Sequence, residues 1–111
     1  MPKHHEIPHG TLEMLILKTV ALGRELHGFE IADRIQSQSQ DVLKVEEGSL
    51  YPALQRLLVN GWLIAEWGRT NENRRARYYR LTPAGRRQLE TELKRYQRVT
   101  AAIGRIMEEP T

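Results

Sequence analysis

The chain has no cysteine among its 111 residues, which excludes disulfides and metal sites built from thiolates. No apolar run approaches the roughly 20 residues that a membrane-spanning helix requires. The first ten residues, MPKHHEIPHG, lack the apolar segment of a secretory signal peptide. From these absences we expect a cytoplasmic protein with no membrane partner.

Positive charge is present in excess but is unevenly placed. The formal net charge is +3. Residues 1–50 carry five Lys/Arg against eight Asp/Glu, whereas residues 51–111 carry twelve against six. The asymmetry favours a polyanion as the partner of the second half, although a solvated basic face explains it equally well. The length fits one domain, or a small domain with an appended helix, whose modest core would gain from oligomerisation.

The first helix is predicted from Gly10 onward, in GTLEMLILKTVALG, after a loose polar arm over residues 1–9. It is apolar on most of its sides, and such helices are usually buried on most of their sides. A monomer of this size can hardly surround it, so part of its surface is predicted to meet a second chain. Its apolar positions are Leu12, Met14, Leu15, Ile16, Leu17, Val20 and Ala21.

Two further helices follow, with a candidate strand at Val42–Val45 between them. Residues 27–38 carry a narrow apolar stripe, which is typical of an amphipathic surface helix. The third helix is predicted over residues 47–60, and Asn60-Gly61 supplies its end. Four leucines fall in one sector of its helical wheel: Leu50, Leu54, Leu57 and Leu58.

Two strand candidates, WLIAEW and RARYYRL, are joined by the polar loop GRTNENRR, whose glycine and asparagines are predicted to make the turn. Thr82 and Pro83 then begin a final helix that runs to about Glu109. Its apolar seam repeats at alternating spacings of four and three residues, as in a coiled coil. The seam is Leu89, Leu93, Tyr96, Thr100, Ile103 and Met107, with Val99 and Ile106 beside it.

Three helices followed by a two-stranded ribbon indicate a winged helix-turn-helix within a mainly α (α+β) fold. The chain then divides into a flexible arm over residues 1–9, a winged domain over 10–81 and a C-terminal dimerisation helix over 82–109. The third helix is the predicted recognition helix, and the basic hairpin over residues 68–77 is the predicted wing.

The side of the third helix opposite its leucines presents Ser49, Pro52, Gln55 and Arg56, with Tyr51 at the boundary. Ser49 lies near the positive end of the helix, which suits a phosphate. Gln55 and Arg56 match the base edges of a major groove. An ordinary solvated face is the alternative, but the order of elements and the basic wing favour DNA contact.

The wing concentrates arginines around its tip, a composition that suits a minor groove or a phosphate ridge. The alternative is that they keep an exposed edge from pairing with other chains. Tyr78 and Tyr79 point to opposite faces of their strand, so one is expected in the core and one on the outer face. Core packing is the favoured role of each tyrosine. The tip arginines are Arg69, Arg74, Arg75 and Arg77.

Several stretches resemble the PadR family of transcriptional regulators, in its short subtype. They are GTLEMLILKTVALG with LHGFEIADRIQ, then EEGSLYPALQRLLVNGWL, and RRARYYRLTPAGRRQLE, in the family's order and spacing. The resemblance implies a bacterial homodimeric winged-helix repressor with a single C-terminal dimerisation helix. It also implies that Tyr51, Pro52 and the wing arginines belong to the DNA surface.

These arguments define two predicted surfaces and one function. We expect a homodimer that binds an inverted-repeat operator in double-stranded DNA, with helix 47–60 in the major groove and the wing on the adjacent backbone or minor groove. The predicted DNA contacts are Ser49, Tyr51, Pro52, Gln55, Arg56, Arg69, Asn73, Arg74, Arg75, Arg77 and Tyr79. The predicted dimer interface is Leu12, Leu15, Leu17, Leu89, Leu93, Tyr96, Val99, Thr100, Ile103, Ile106 and Met107.

A winged helix that binds RNA or a protein is the alternative function, because a fold does not determine a function. Relatives often sense small molecules at the dimer interface, so the resemblance also allows an effector there. Trp62, Trp67 and Tyr96 are the aromatic candidates, although core packing is the favoured role of both tryptophans.

No catalytic constellation is visible, and we predict neither an enzyme nor a cofactor. The arm histidines, His4, His5 and His9, lie near Glu6, where a weak transition-metal site is conceivable. Because no framework of supporting ligands accompanies them, loose terminal residues are the favoured interpretation.

Overall fold

The computed structural model describes residues 5–110, which form four helices and a three-stranded antiparallel sheet. This is the predicted winged helix-turn-helix with a long C-terminal helix. None of the helices in this range is long and apolar enough to cross a membrane. In chain order the elements are α1 (Leu12–Gly23), β1 (Leu26–His27), α2 (Gly28–Gln38), α3 (Glu47–Val59), β2 (Leu63–Arg69), β3 (Arg75–Leu81) and α4 (Pro83–Met107).

The core lies where α1, α2 and α3 pack against the sheet. Three of the four predicted leucines of α3 are buried in it, and Leu58 is half-buried at its edge. Leu17 of α1 is also fully buried in this core. The assignment of Leu17 to a dimer interface is therefore corrected, because it presents no surface to a second chain. The largest fully buried side chains are Ile16, Leu17, Val20, Leu26, Ile31, Leu50, Leu54, Leu57 and Leu63.

The sheet places β3 between β1 and β2. β2 and β3 pair from Leu63 opposite Leu81 to Arg69 opposite Arg75, so the ribbon is longer than predicted and Gly68 lies inside a strand rather than in the turn. β1, which the sequence pattern did not reveal, pairs with β3 at Tyr78 and Tyr79.

His27 ends β1 and caps α2. Its Nδ1 accepts a hydrogen bond from the Glu30 N–H at 3.4 Å, and the Glu30 carboxylate accepts one from the His27 N–H at 3.1 Å. The two bonds form a capping box, which satisfies backbone donors that the helix itself leaves unpaired. His27 is thus the cap of α2, which begins one residue later than predicted.

The segment before α1 is attached to the domain from residue 5 onward. The His5 N–H donates to the Val42 carbonyl at 2.7 Å, and His5 forms a single parallel bridge with Leu43. Ile7 packs against the core. These contacts correct two predictions: residues 5–9 are not loose, and Val42–Val45 form no strand beyond the bridge at Leu43. His4 lies outside the described residues, so the histidine cluster is only partly covered.

The start of α4 is joined to the end of α3. The Thr82 Oγ1 accepts the Gly85 N–H at 2.9 Å, caps the helix as predicted, and donates to the Gly61 carbonyl at 2.7 Å. The Thr82 N–H donates to the Trp62 carbonyl at 3.1 Å. Together with the buried Leu89, these bonds fix the first two turns of α4 against the winged domain.

Glu92 occupies an unfavourable position on α4, three residues after Leu89. Its side chain is 12% exposed, and its Oε2 has no hydrogen-bond partner within residues 5–110. Burial raises the pKa of this carboxyl, against the lowering effects of a Gln88 hydrogen bond and the Arg95 charge, while Glu13 adds to the rise. Burial destabilises the ionised carboxylate relative to the protonated carboxyl, because it removes the charge from water.

We therefore expect Glu92→Gln to stabilise the protein at pH 7. A raised folded-state pKa means that stability falls as pH rises from the ordinary glutamate range through the folded value, so the neutral amide avoids this loss. The gain over wild type should disappear below about pH 4, where both side chains are uncharged. Thermal melts at both pH values measure it, and exposed Glu90→Gln is the charge-matched control. Equal melting temperatures at pH 7 would contradict this reading of the site.

Candidate nucleic-acid interface

One side of α3 is open to solvent along its whole length. The buried side of α3 faces the core through Leu50, Ala53, Leu54 and Leu57. Every residue that was predicted on the opposite side is exposed. Polar side chains thus lie on both sides of the rings of Tyr51 and Pro52 along this surface. The exposed residues are Gly48, Ser49, Tyr51, Pro52, Gln55, Arg56 and Val59.

Pro52 lies inside the helix, because α3 begins at Glu47. A proline has no N–H, so it cannot donate to the carbonyl of Gly48 one turn earlier. Gly48 is exposed, and its carbonyl remains available to water or to another donor. The Pro52 ring therefore adds a small apolar group to the surface, and α3 loses one backbone hydrogen bond.

Arg56 differs from Gln55 in what it contacts. Its Nε donates to the Glu13 carboxylate of α1 at 2.9 Å, an ion pair in which the arginine side chain remains 55% exposed. Gln55 instead faces the space between α3 and the wing. The two residues predicted to read bases therefore lie on different sides of the open surface, and Arg56 is held toward α1.

The wing ends in a tight loop, Thr70–Arg74, between β2 and β3. The Thr70 N–H donates to the Arg74 carbonyl at 2.8 Å, and the Asn73 N–H donates to the Thr70 carbonyl at 2.9 Å. Asn73 has a φ of 63°, a left-handed conformation that asparagine tolerates better than most residues. The Arg69 guanidinium donates to the Asn73 carbonyl at 3.2 Å, so one of the predicted wing arginines also stabilises the tip.

The two tyrosines of β3 have separate structural roles. Tyr79 is 4% exposed, and burial raises the pKa of its hydroxyl against the lowering effect of Arg77. Its assignment as a DNA contact is therefore corrected: it is a core residue, as the alternation of the strand allows. Tyr78 covers the opposite face, where its ring packs over Gly68 and its hydroxyl donates to the Arg69 carbonyl at 3.1 Å.

Trp67 is also placed differently from the prediction. It is 59% exposed rather than packed in the core. The guanidinium carbon of Arg75 lies 4.3 Å from the centroid of its indole, and that of Arg77 lies 5.7 Å away. Both distances fall within the range of cation–π contacts. Trp62 is half-buried and packs against the core, in agreement with its favoured role.

The open face of α3 and the wing line one groove of about 830 Å³. Tyr51 and Gln55 contribute to one wall, and wing arginines contribute to the other. Gly28, the first residue of α2, forms part of the floor, and a Cβ there would lie 3.1 Å from the Tyr51 ring. A small residue at this point lets the tyrosine pack closely against α2. The wing residues of the groove are Trp67, Thr70, Asn71, Glu72, Arg74, Arg75, Ala76 and Arg77.

A second exposed surface follows the seam of α4. Its apolar side chains become more exposed along the helix, from Leu89 at 8% to Leu93 at 38%, Ile103 at 54% and Met107 at 76%. Leu12 and Leu15 of α1 are half-buried, and Leu15 with Leu93 and Tyr96 lines a shallow apolar recess of about 300 Å³ between α1 and α4. Beyond Leu89, the helix has more apolar surface than its own domain covers. The other exposed positions are Tyr96, Val99, Thr100 and Ile106.

The sequence of residues 16–91 matches the model of the transcriptional regulator PadR-like family, which covers more than half of the chain. The chain belongs to the PadR family of transcriptional regulators. A transcriptional regulator of Mycobacterium tuberculosis is 41% identical over 66 residues, which are 60% of this chain and 58% of that protein.

Solved structures of transcriptional regulators share the fold. A transcriptional regulator from Clostridium thermocellum has a TM-score of 0.78 and 25% identity, over 86% of this chain and 92% of its own. A PadR family regulator from Eggerthella lenta has a TM-score of 0.77 and 26% identity, over 91% and 85%. The resemblance stated from sequence motifs is therefore confirmed, and membership of this family assigns the chain to the transcriptional regulators.

Sequence reasoning missed one feature of this PadR surface, the exposed Trp67. The alternation of β2 places Trp67 on the same face as Leu63 and Ala65, which favours burial, so this pattern gave no sign of its exposure. Its exposure became visible only with the register, which pairs it with Arg77 beyond the end of the core.

Proposed function

We propose that this PadR protein binds duplex DNA as a homodimer and represses transcription from an inverted-repeat operator. The observation that carries the proposal is the shared groove: the exposed face of α3 and the arginines of the wing lie on the same side of the domain. A helix with a free polar face beside a basic ribbon is the arrangement that winged helices use to bind DNA.

In this proposal α3 lies in the major groove, and the wing over residues 68–77 contacts the adjacent backbone or minor groove. Gln55, which is exposed and unobstructed, supplies base contacts, preferentially to adenine. Ser49 and Tyr51 position the helix against phosphates. Arg56 reaches a guanine only after it leaves Glu13, so it contributes less than Gln55 unless DNA displaces that ion pair.

The homodimer would form through the seam of α4 together with α1. Residues 10–81 would then act as the DNA-binding unit and residues 82–109 as the dimerisation unit. Two-fold symmetry repeats the α3 surface on a second half-site, which is why we propose an inverted repeat as the operator. Repression would follow from occupation of a promoter, and binding of intracellular DNA implies a cytoplasmic location. The apolar recess at Tyr96 is the proposed place for a small-molecule effector.

Removal of two wing arginines should weaken binding to every duplex. We expect Arg74→Ala with Arg75→Ala to lower affinity for operator and random DNA alike, because phosphate contacts are independent of sequence. The slope of log K against log salt should flatten by about 0.9 for each phosphate that the variant no longer neutralises. Equilibrium binding at several salt concentrations measures both quantities.

The matched control for this pair is Arg86→Ala with Arg87→Ala. It removes the same charge from two exposed arginines of α4, which β3 separates from the wing tip by its whole length. As a contrast, Gln55→Ala should cost roughly 1–3 kcal/mol on the preferred site and much less on random DNA. If the wing pair changes neither affinity nor slope, the wing does not contact phosphates.

A winged helix that binds RNA or a protein remains the competing function. A gel-shift competition of duplex DNA from the promoter of the protein's own operon against structured RNA separates the two. The proposal requires that duplex DNA compete more effectively.

A further inference from the structure

The β2–β3 ribbon extends the face that packs on the core out into the wing. Side chains alternate along a strand, so Leu63, Ala65 and Trp67 share one face of β2. Their partners in register on β3 are Leu81, Tyr79 and Arg77. The first two pairs lie in or against the core, whereas Trp67 and Arg77 are the first pair beyond it.

At that point the exposed ring of Trp67 has arginines for neighbours. Arg75 lies 4.3 Å and Arg77 lies 5.7 Å from the indole centroid, and Arg77 is also 6.0 Å from the centroid of the Tyr79 ring. A stacked guanidinium uses its flat face for the aromatic contact and keeps the N–H groups at its edge for other acceptors. Both arginines therefore retain free donors while their side chains are restrained.

The other face of the ribbon is closed. The ring of Tyr78 lies so near Gly68 that a Cβ there would approach it to 3.0 Å, and the Tyr78 hydroxyl is bonded to the backbone of Arg69. The indole with its two arginines thus lies on the face that lines the groove opposite Tyr51 and Gln55.

We propose that Trp67 is a positioning residue for DNA binding, which acts by holding Arg75 and Arg77 with their N–H edges toward the phosphates of the bound duplex. The proposal rests on the DNA-binding function above. Arginine loses side-chain freedom when it binds a phosphate, and a side chain that is already stacked has less freedom to lose. An exposed tryptophan beside a DNA groove then has a role that needs no base contact of its own.

The test is a double-mutant cycle that measures affinity for duplex DNA by fluorescence anisotropy. It compares wild type, Trp67→Leu, Arg75→Ala with Arg77→Ala, and the triple variant, at a salt concentration low enough for all four to bind. We expect Trp67→Leu alone to reduce affinity about three- to tenfold, because the two arginines would then lose more side-chain freedom when they bind phosphates. In the background without the two arginines, the same change should have no further effect.

Trp67→Tyr is the conservative variant and should retain most of the affinity, because it keeps an aromatic face. Thermal melting and light scattering establish that each variant remains folded and associated as wild type. Trp67→Gln gives the same measurement should the leucine variant unfold.

Three results would overturn the proposal: wild-type affinity in Trp67→Leu, an equal loss from Trp67→Leu with and without the arginines, or a loss in Trp67→Tyr as large as in Trp67→Leu. The second result would instead assign Trp67 a direct DNA contact. Failure of the wild type to bind any duplex would reject the DNA-binding function itself, which is a separate outcome.

Discussion

Replacement of Leu93 and Ile103 by aspartate is expected to convert the proposed dimer into a monomer that no longer holds an operator. Both side chains are exposed on the seam of α4, at 38% and 54%. A fully buried leucine or isoleucine contributes on the order of 1.5–3 kcal/mol, so removal of two such side chains and burial of two charges should prevent association. A single winged domain would then contact one half-site, and affinity for the complete inverted repeat should fall by orders of magnitude.

The matched control introduces the same two charges on the opposite side of the helix. Thr91→Asp with Ala101→Asp has the same ten-residue spacing, and both positions are exposed but lie outside the seam. Light scattering and gel shift on the same samples give the mass and the affinity together. A Leu93→Asp, Ile103→Asp variant that is monomeric yet binds the operator as wild type does would show that DNA binding needs no dimer.

Gly85→Ala is the substitution for which we expect the largest loss of stability. A Cβ at this position would lie 2.0 Å from the Trp62 carbonyl oxygen, far inside the contact distance, and 2.9 Å from a methyl of Leu81. That carbonyl cannot move freely, since it accepts the Thr82 N–H that joins α4 to the domain. Overpacking of this kind typically costs about 1–3 kcal/mol, and a backbone obstacle places the change at the upper end.

Gly48→Ala is the control for Gly85→Ala, because Gly48 also lies in the first turn of a helix but has no atom within 4 Å of an added Cβ. Alanine is the better helix former, so this variant should be as stable as wild type or slightly more stable. Chemical denaturation of the three proteins at equal concentration measures the difference. Equal stability of Gly85→Ala and wild type would mean that the α3–α4 joint is more deformable than its hydrogen bonds indicate.

Most of the fold followed from periodicity and local signals. The leucine pattern and the Asn60-Gly61 end predicted α3 to within one residue. The alternation in RARYYRL predicted β3 at its observed bounds. β1 was missed because a strand of two residues is too short to show the alternation of apolar and polar side chains. Leu26 and His27 become a strand only through their pairing with Tyr79 and Tyr78, more than fifty positions away.

The sequence predicted which segments form the site better than it predicted which way their side chains point. The exposed face of α3 follows from the helical wheel once its leucines are placed in the core. The roles of Tyr78, Tyr79 and Trp67 depend on where along the ribbon the core ends. The alternation of residues within one strand does not reveal that position. Likewise Leu17 looked available on an apolar helix, but α2, α3 and the sheet together cover more of α1 than its periodicity alone implies.

The joint at Thr82 makes α4 a lever. From Leu93 to Met107 the helix extends about 21 Å beyond its last buried turn, at 1.5 Å per residue. A tilt of about 5° at the joint, which lies about 37 Å from Met107 along the helix, therefore displaces the far end by roughly 3 Å, about the advance of two residues. Thr82 is hydrogen-bonded to Gly61 and Trp62, which follow the C-cap of α3, so the start of this lever is attached to the end of the exposed helix itself. A small change at that attachment alters the direction of α3 relative to the whole length of α4.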